Sequence, residues 1–505
     1  MRKENSLKNL LYGLGSFVIT TLIGVIIPRL FIVSYGSEVN GLVSSLKQIF
    51  AYFSLLEAGV GGATLQALYG PMARNDHGEI SSILSATNHF YRKTGVWYAV
   101  GVALLAVIYP ICIKSDIPYY VIVGIILFQG EGGVLKYFVT SKLQLLMKVD
   151  GKSYILTNLG TFFTIVCNIA RIALMYAGCG ILTVQAVFCV VDVLQVIFIV
   201  GYTKRRYGWL DLTAPPDLHA ISQRNAVFVH QISGLIFNNT DTVILTFFCG
   251  LKVVSVYAMY SMLFGMAANV IGYISSSVNF AMGQIFNSDR EHYKKIQEAY
   301  ETYYLAVSFA LFAIALIFIL PFLRLYIRGV SDIDYIDKWL PILFVAYQVL
   351  NYGRNTSANI IDYAGHYSQT KWRSVLESGI NLTVSLAAVH FLGIYGVLIG
   401  TVAALLYRTN DIILYANLKI MKRSAWPTYR RWLRDLALLV LCGWLGSFLP
   451  ELYSGYVSLF AAAIVVSVLV MALFLIVNTA LEKDARATVL EYLKPVLTKI
   501  VHRKT

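Results

Sequence analysis

The chain has 505 residues, 57% hydrophobic and only 13% charged, about half the charged share of an ordinary soluble domain. Its formal net charge of +14 would point to a nucleic-acid face in a soluble protein. Here the basic residues sit in short loops between apolar runs of about 20 residues, each long enough to cross a hydrocarbon core about 30 Å thick. With a mean hydropathy of +0.65, this excludes a soluble enzyme and a nucleic-acid binder.

Taken in chain order, the predicted transmembrane spans are Leu10–Tyr35, Leu42–Tyr69, Thr87–Ile113, Tyr119–Thr140, Ile155–Ala177, Leu182–Thr203 and Ala226–Phe248. Then come Val254–Ile285, Thr302–Leu325, Leu340–Tyr363, Val375–Leu392, Tyr395–Leu418, Leu433–Leu449 and Tyr456–Leu481. This is an all-α polytopic membrane protein of about fourteen helices. Met1–Lys8 is short and basic, and the apolar stretch after it is too long for a signal-peptide core. A retained first helix is therefore expected. The tail after Glu482 spaces Val489, Leu490, Leu493, Val496, Leu497 and Ile500 helically, with Lys and Arg between. It reads as a basic amphipathic helix on the cytoplasmic face.

Basic residues crowd one set of loops, including Arg74, Arg92, Lys93, Lys148, Lys152, Lys204 to Arg206, Arg290, Lys294, Lys371, Lys422 and Arg423. The opposite loops hold Lys114, Lys252, Arg328, Lys338 and little else. The positive-inside rule then places both termini in the cytoplasm. The outer loops are too short for an extramembrane domain, and the longest inner loop, Lys204 to Asn225, joins the two halves. Cys112, Cys167, Cys179, Cys189, Cys249 and Cys442 form no Cys-x-x-Cys pair and read as small core hydrophobes.

An internal repeat is legible. The helix ends at Gly36 and Gly250 lie 214 residues apart, as do the inner-loop glycines Gly151 and Gly365. Gly178-Cys179-Gly180 and Gly393-Ile394-Tyr395-Gly396 match at nearly the same offset. Six spans per half is an even number, so the halves run in parallel. The predicted segments are an N-terminal lobe (1–210), a second lobe (211–425), two added helices (426–481) and a cytoplasmic tail (482–505). Two such lobes predict an alternating-access transporter.

Ionisable residues inside spans cost about 2.5 to 3.5 kcal/mol on insertion scales and are functional candidates. They are Arg29, Lys47, Glu57, Glu131, Arg171, Asp192, Asp241, Arg354, Arg408 and Asp411. Small or polar residues form stripes at Gly13, Ser16, Thr20, Gly24 and Pro28, at Lys47, Ala51, Ser54, Glu57 and Gly61, and at Gln231, Gly234, Asn238 and Asp241. Such a stripe is either close helix packing or the wall of a hydrated cavity. Arg408 and Asp411 stand at i, i+3 and can neutralise each other. Asp192 and Arg408 hold matching places in the two halves and could pair across an interface. Arg171 can snorkel outward, and Arg354 shares a face with Asp362. No phosphate-binding Gly-rich loop with a lysine is present, no spacing of histidines predicts a metal site, and no catalytic nucleophile motif is found. Most of the 34 tyrosines read as interface-belt residues.

Several stretches resemble a known family. They are Ile27-Pro28-Arg29-Leu30-Phe31-Ile32 leading to Tyr35-Gly36-Ser37-Glu38-Val39-Asn40-Gly41-Leu42, Leu55-Leu56-Glu57-Ala58-Gly59-Val60-Gly61, Asn239-Thr240-Asp241-Thr242-Val243-Ile244-Leu245, and Leu392-Gly393-Ile394-Tyr395-Gly396-Val397. In order and spacing they look like the bacterial polysaccharide transporter family, the O-antigen and capsule repeat-unit flippases. Relatives often carry Asp, followed by Leu-Gly, where Glu57-Ala58-Gly59 stands here.

The resemblance implies two pseudo-symmetric, MATE-like six-helix lobes plus two C-terminal helices, in the bacterial inner membrane. It implies a non-enzymatic flippase for an undecaprenyl-pyrophosphate-linked oligosaccharide, with no cofactor beyond a coupling H+ or Na+. Membrane lipids and other polysaccharide-assembly proteins are the implied partners. A flippase of pyrophosphate needs cavity cations, for which Arg29, Lys47 and Arg354 are candidates. Glu57 and Asp241 are the coupling-ion candidates, and Arg171, Asp192, Arg408 and Asp411 are structural charge-pair candidates. The alternative is a cation-coupled small-molecule exporter of the same superfamily.

Overall fold

A computed structural model describes residues 2–57, 59–219, 224–449 and 453–501, and the side chains of all of these except 2–11, 13, 14, 17, 18, 224–233, 238 and 493–501. Gly13, Gln231 and Asn238 of the predicted stripes, and Leu493, Val496, Leu497 and Ile500 of the tail, lie outside the described side chains.

Among the described residues seventeen α-helices follow in order. They are α1 (Arg2–Phe53), α2 (Val60–Arg74), α3 (His77–Cys112), α4 (Tyr119–Leu135), α5 (Ser141–Val149), α6 (Ser153–Tyr176), α7 (Ile181–Arg206), α8 (Arg224–Phe248) and α9 (Leu251–Ser288). The rest are α10 (Arg290–Tyr326), α11 (Leu340–Gly353), α12 (Asn355–Tyr363), α13 (Tyr367–Leu392), α14 (Ile394–Leu414), α15 (Trp426–Gly446), α16 (Tyr456–Leu481) and α17 (Lys483–Val501). Ten helical segments among the described residues are long and apolar enough to cross a membrane.

Each of the fourteen predicted spans is a helix, or a helix interrupted by a turn. The interruptions are the departures from the sequence reading. The turn between the first two predicted spans is tighter than the gap left for it: α1 is two helices that meet at Gly36, which alone leaves helical geometry with φ 85° and ψ 167°. The second span breaks over a 3-10 turn at Ser54–Glu57 before α2 resumes. The fourth passes through a π-helical turn, Lys136–Thr140, into α5. The tenth breaks at Arg354, between α11 and α12. Apolar periodicity reads through such breaks because the residues on either side stay apolar.

The internal repeat extends to backbone detail. Gly36 and Gly250 share φ of 85° and 86°, Gly151 and Gly365 share 72° and 67°, and Gly178 and Gly393 share 72° and 53°. A left-handed φ is open to glycine at little steric cost, which is why the chain reverses at these matched positions. The long third helix of each half starts alike. Asp76 accepts from the Glu79 amide at 2.9 Å before α3, and Asp289 accepts from the His292 amide at 3.0 Å before α10. Each carboxylate satisfies an amide that helix geometry leaves orphaned.

The described residues fall into two compact units, Met1–Val256 with Val330–Ile333, and Tyr257–Gly329 with Asp334–Thr505. In the first, α1 packs on α6 and α8, and α4 on α3 and α7. Its core gathers Leu42, Leu46, Tyr98, Tyr109, Ile122 and Ile126. A buried polar seam ties α1 to α8 and the first turn of α9. Asn40 donates to Ser255 at 2.7 Å, Ser45 meets Thr246 at 2.7 Å, and Tyr52 meets Thr240 at 2.7 Å.

In the second unit α10 packs against α11, α15, α16 and α17, and α13 against α14. Part of its core is Met282, Phe286, Tyr293, Ile360, Ile412 and Met421.

Candidate functional site

The break in the second span exposes backbone groups that an unbroken helix would pair, and the structure supplies substitutes. Ser54 Oγ donates to the Ala51 carbonyl at 2.7 Å, and Thr94 Oγ1 of α3 reaches the Leu56 carbonyl at 3.3 Å. Gly59, at φ 85°, then starts α2. Glu57 thus sits on a 3-10 turn rather than on a continuous helix face.

The π turn in the fourth span does the complementary thing. It carries Lys136 as its first residue and leaves the Phe138 carbonyl to accept from Lys142 Nζ at 2.6 Å. Inserted π turns recur at functional positions in helices.

The two irregularities face each other. Lys136 Nζ donates to Glu57 Oε1 at 2.7 Å and lies 5.0 Å from the centroid of the Tyr137 ring. Tyr137 packs against Tyr91 and Tyr98 at centroid distances of 6.1 and 5.3 Å. The pair lines a cavity of about 540 Å³ together with Ser54, Tyr91, Ser141, Gln144 and Lys148. The wall also includes Gly59, Gly61, Gly62 and Gly234, which keep it open to bulky groups. The cavity therefore offers two ammonium groups, one carboxylate, and hydroxyl and amide donors.

The second unit carries a charge network at the corresponding break. Arg354 follows Lys136 by 218 residues, within a turn of the repeat offset, and it too stands at the interruption of its span. Arg354 Nη1 donates to Glu377 Oε1 of α13 at 2.6 Å. Glu377 Oε2 also lies 3.4 Å from Arg408 Nε of α14. Arg408 in turn holds Asp411 at 2.5 Å and Ser374 Oγ at 3.1 Å. Arg373 closes the chain with an ion pair to Asp411.

The remaining candidates are not among the residues that line that cavity. Arg29 is half-buried and Lys47 exposed, both on α1. Asp241 is buried on α8, next to the Thr240–Tyr52 contact. Arg171 lies over the Phe31 ring at 4.8 Å and beside Phe188 at 6.0 Å, a cation–π seat. Asp192 lies against Gly132, where an added Cβ would come within 2.6 Å of its carboxylate. The ion-pair partners seen for Arg408 are Glu377 and Asp411.

Sequence reasoning passed over Lys136, although a lysine inside the predicted span Tyr119–Thr140 was itself a signal. It also passed over Glu377, inside the span predicted at Val375–Leu392.

Among solved structures the chain is similar to the lipid II flippase MurJ in an inward closed conformation. The TM-score is 0.69 at 14% identity, over 94% of this chain and 99% of that one. A multidrug resistance MATE family transporter of the MOP superfamily, inward-facing, matches with a TM-score of 0.65 at 14% identity, over 80% of this chain and 95% of that one. A MOP superfamily transporter from Pyrococcus furiosus matches at 0.56 and 14% identity, over 84% and 97%. No protein-family model matches the chain, and no curated protein does. The chain is a multi-helix membrane protein with the MurJ- and MATE-like fold over most of its length.

Proposed function

We propose that this chain is a flippase that moves an undecaprenyl-pyrophosphate-linked oligosaccharide from the inner to the outer leaflet of a bacterial cytoplasmic membrane. It works by alternating access, driven by an H+ or Na+ gradient. The observation that carries this reading is the extent of the likeness to the lipid II flippase, 94% of the chain against 80–88% for the MATE structures. The flippase-like sequence stretches around Arg29, Glu57, Asp241 and Gly393 support the same substrate class.

The chemistry of the cavity agrees. A pyrophosphate must leave water's hydrogen bonds to cross, so the carrier has to replace them with charged donors. Lys136 and Lys148 line the cavity. Arg29, Lys47 and Arg354 remain candidate contacts for a headgroup that also carries sugars. Glu57 and Asp241 are the carboxylates proposed to take up the coupling cation and reset the carrier. Polysaccharide-assembly proteins of the same membrane are the proposed partners. Export of a small organic cation is the second reading, favoured by the MATE likeness and by the Glu57 carboxylate in the cavity wall.

Proteoliposomes holding an undecaprenyl-pyrophosphate oligosaccharide test the proposal, with and without an imposed ion gradient. Gradient-dependent movement of the lipid supports it. No lipid movement, with expulsion of a cationic dye under the same gradient, replaces it with the exporter reading.

A further inference from the structure

Both repeats place a cation at the interrupted turn of the corresponding span and pair it with a carboxylate from a neighbouring segment. The two pairs are built for different tasks. Arg354 and Glu377 are 14% and 9% exposed, and Glu377 has Arg408 as a second cation at 3.4 Å. Lys136 and Glu57 are 43% and 23% exposed, and both line the cavity. A partly solvated Lys–carboxylate pair holds weakly, whereas separating a buried and cross-braced pair costs several-fold more. Lysine also offers a compact, rotatable ammonium in place of a rigid fork.

We infer that Lys136 is an anion subsite for a pyrophosphate group and that Glu57 is its built-in placeholder. The Glu57 carboxylate occupies the ammonium when the cavity is empty, and a pyrophosphate oxygen displaces it. The geometry meets what an exchange site needs. The pair lies at 2.7 Å on two irregular turns rather than on rigid helix faces. The cavity is large enough for a diphosphate, and Ser141, Gln144 and Lys148 stand in the same wall to complete its hydrogen bonds. Displacement frees Glu57 to bind a cation, so arrival of the anion and uptake of the coupling ion become one exchange. This inference rests on the flippase reading for its lipid, but the anion site can be read without the lipid.

The test measures binding of geranylgeranyl pyrophosphate, and separately of inorganic pyrophosphate, to the purified full chain in detergent micelles. Wild type is compared with Glu57→Gln, Lys136→Gln and the double variant, each checked for its thermal unfolding midpoint. Removing an internal competitor of the strength of an exposed ion pair should tighten Glu57→Gln by about two- to five-fold. Losing a charge-assisted contact should weaken Lys136→Gln by about ten-fold or more, and the double variant should bind as weakly as Lys136→Gln. Glu57→Asp, which keeps the competitor, should bind as wild type, and Glu57→Ala, which also removes it, stands in with the same expected tightening if Glu57→Gln does not fold. The same order with inorganic pyrophosphate upholds the anion site even where the prenyl compound fails to bind, a result that would count against the flippase reading alone. Equal affinities in all variants, or weakening by Glu57→Gln and Lys136→Gln alike, overturns the placeholder. If wild type still flips lipid in vesicles after that result, the flippase reading survives it.

Discussion

Asp332, in the loop after α10, accepts from the Ser37 amide at 2.8 Å and from the Ser37 hydroxyl at 2.7 Å, across 295 residues of chain. It caps the helical segment that restarts after the Gly36 kink, a place usually served by the residue just before a helix. The loop residues Val330–Ile333 accordingly belong to the first unit while their neighbours belong to the second. Asp332→Ala removes both bonds and should lower stability by about 0.5–2 kcal/mol, the usual worth of a cap. Ser37→Ala keeps the amide contact and should cost less. Thermal unfolding of the two variants side by side checks the order.

A second prediction concerns the seam between α1 and the start of α9. A Cβ built on Gly41 would fall 1.8 Å from the Leu251 carbonyl oxygen, a backbone atom that cannot step aside. Gly41→Ala must therefore push α9 away from α1 and strain the Asn40–Ser255 bond, at a cost of about 1–3 kcal/mol or more. Gly24 on the same helix has nothing within 4 Å of such a Cβ, so Gly24→Ala should be neutral or slightly stabilising. Expression level and unfolding midpoint of the pair decide it. Equal behaviour would mean the close approach at Gly41 is dispensable.

How far the sequence foretold these features depends on their range. The helices and the 214-residue repeat are local or periodic properties, and they read directly from apolar runs and glycine turns such as Gly36 and Gly250. Glu57 stood out because a carboxylate inside an apolar run is costly anywhere. Its partner Lys136 is 79 residues away, and the two meet only because one span turns 3-10 and the other π. No local propensity announces either turn, since Ser54-Leu55-Leu56-Glu57 and Lys136-Tyr137-Phe138-Val139 are unremarkable helix sequences. The same holds for Glu377, whose importance comes from Arg354 and Arg408 converging on it from α11–α12 and α14. Arg408 with Asp411 was legible because i, i+3 is a helix neighbour relation.

That convergence makes a third prediction. Glu377→Gln keeps the shape of the side chain but leaves Arg354 facing a neutral amide and strips Arg408 of one of its two carboxylates. Breaking a buried pair by neutralising one partner typically costs about 3–5 kcal/mol, partly offset here because Arg408 retains Asp411 at 2.5 Å. Glu57→Gln, at a partly solvated pair, should cost about 1 kcal/mol or less. Unfolding midpoints in one detergent compare the two. A Glu377→Gln midpoint no lower than that of Glu57→Gln would mean the second-unit network is not a brace.

The last prediction concerns acid. Glu482, at the junction of α16 and α17, is 7% exposed and gathers Arg430 at 2.9 Å, Arg431 at 3.2 Å and Arg434 at 3.3 Å. Burial alone would raise its carboxyl, but the guanidinium groups of Arg431 and Arg430 outweigh that and hold it below its ordinary 4.5. A carboxyl lowered in the folded state stabilises the fold above its unfolded value, and that contribution is lost as pH falls through the folded value. The junction should therefore be unchanged from neutral pH down to about 4.5 and open only at lower pH. Hydrogen exchange at the start of α17, followed from pH 7 to pH 3 and corrected for the intrinsic rate, reads the opening. Glu482→Gln should raise exchange at neutral pH, because three arginines lose their shared anion, and should flatten the acid-dependent rise. A wild-type rise already present at pH 6 would assign the acid sensitivity to another group, and an unchanged acid profile in Glu482→Gln would do the same.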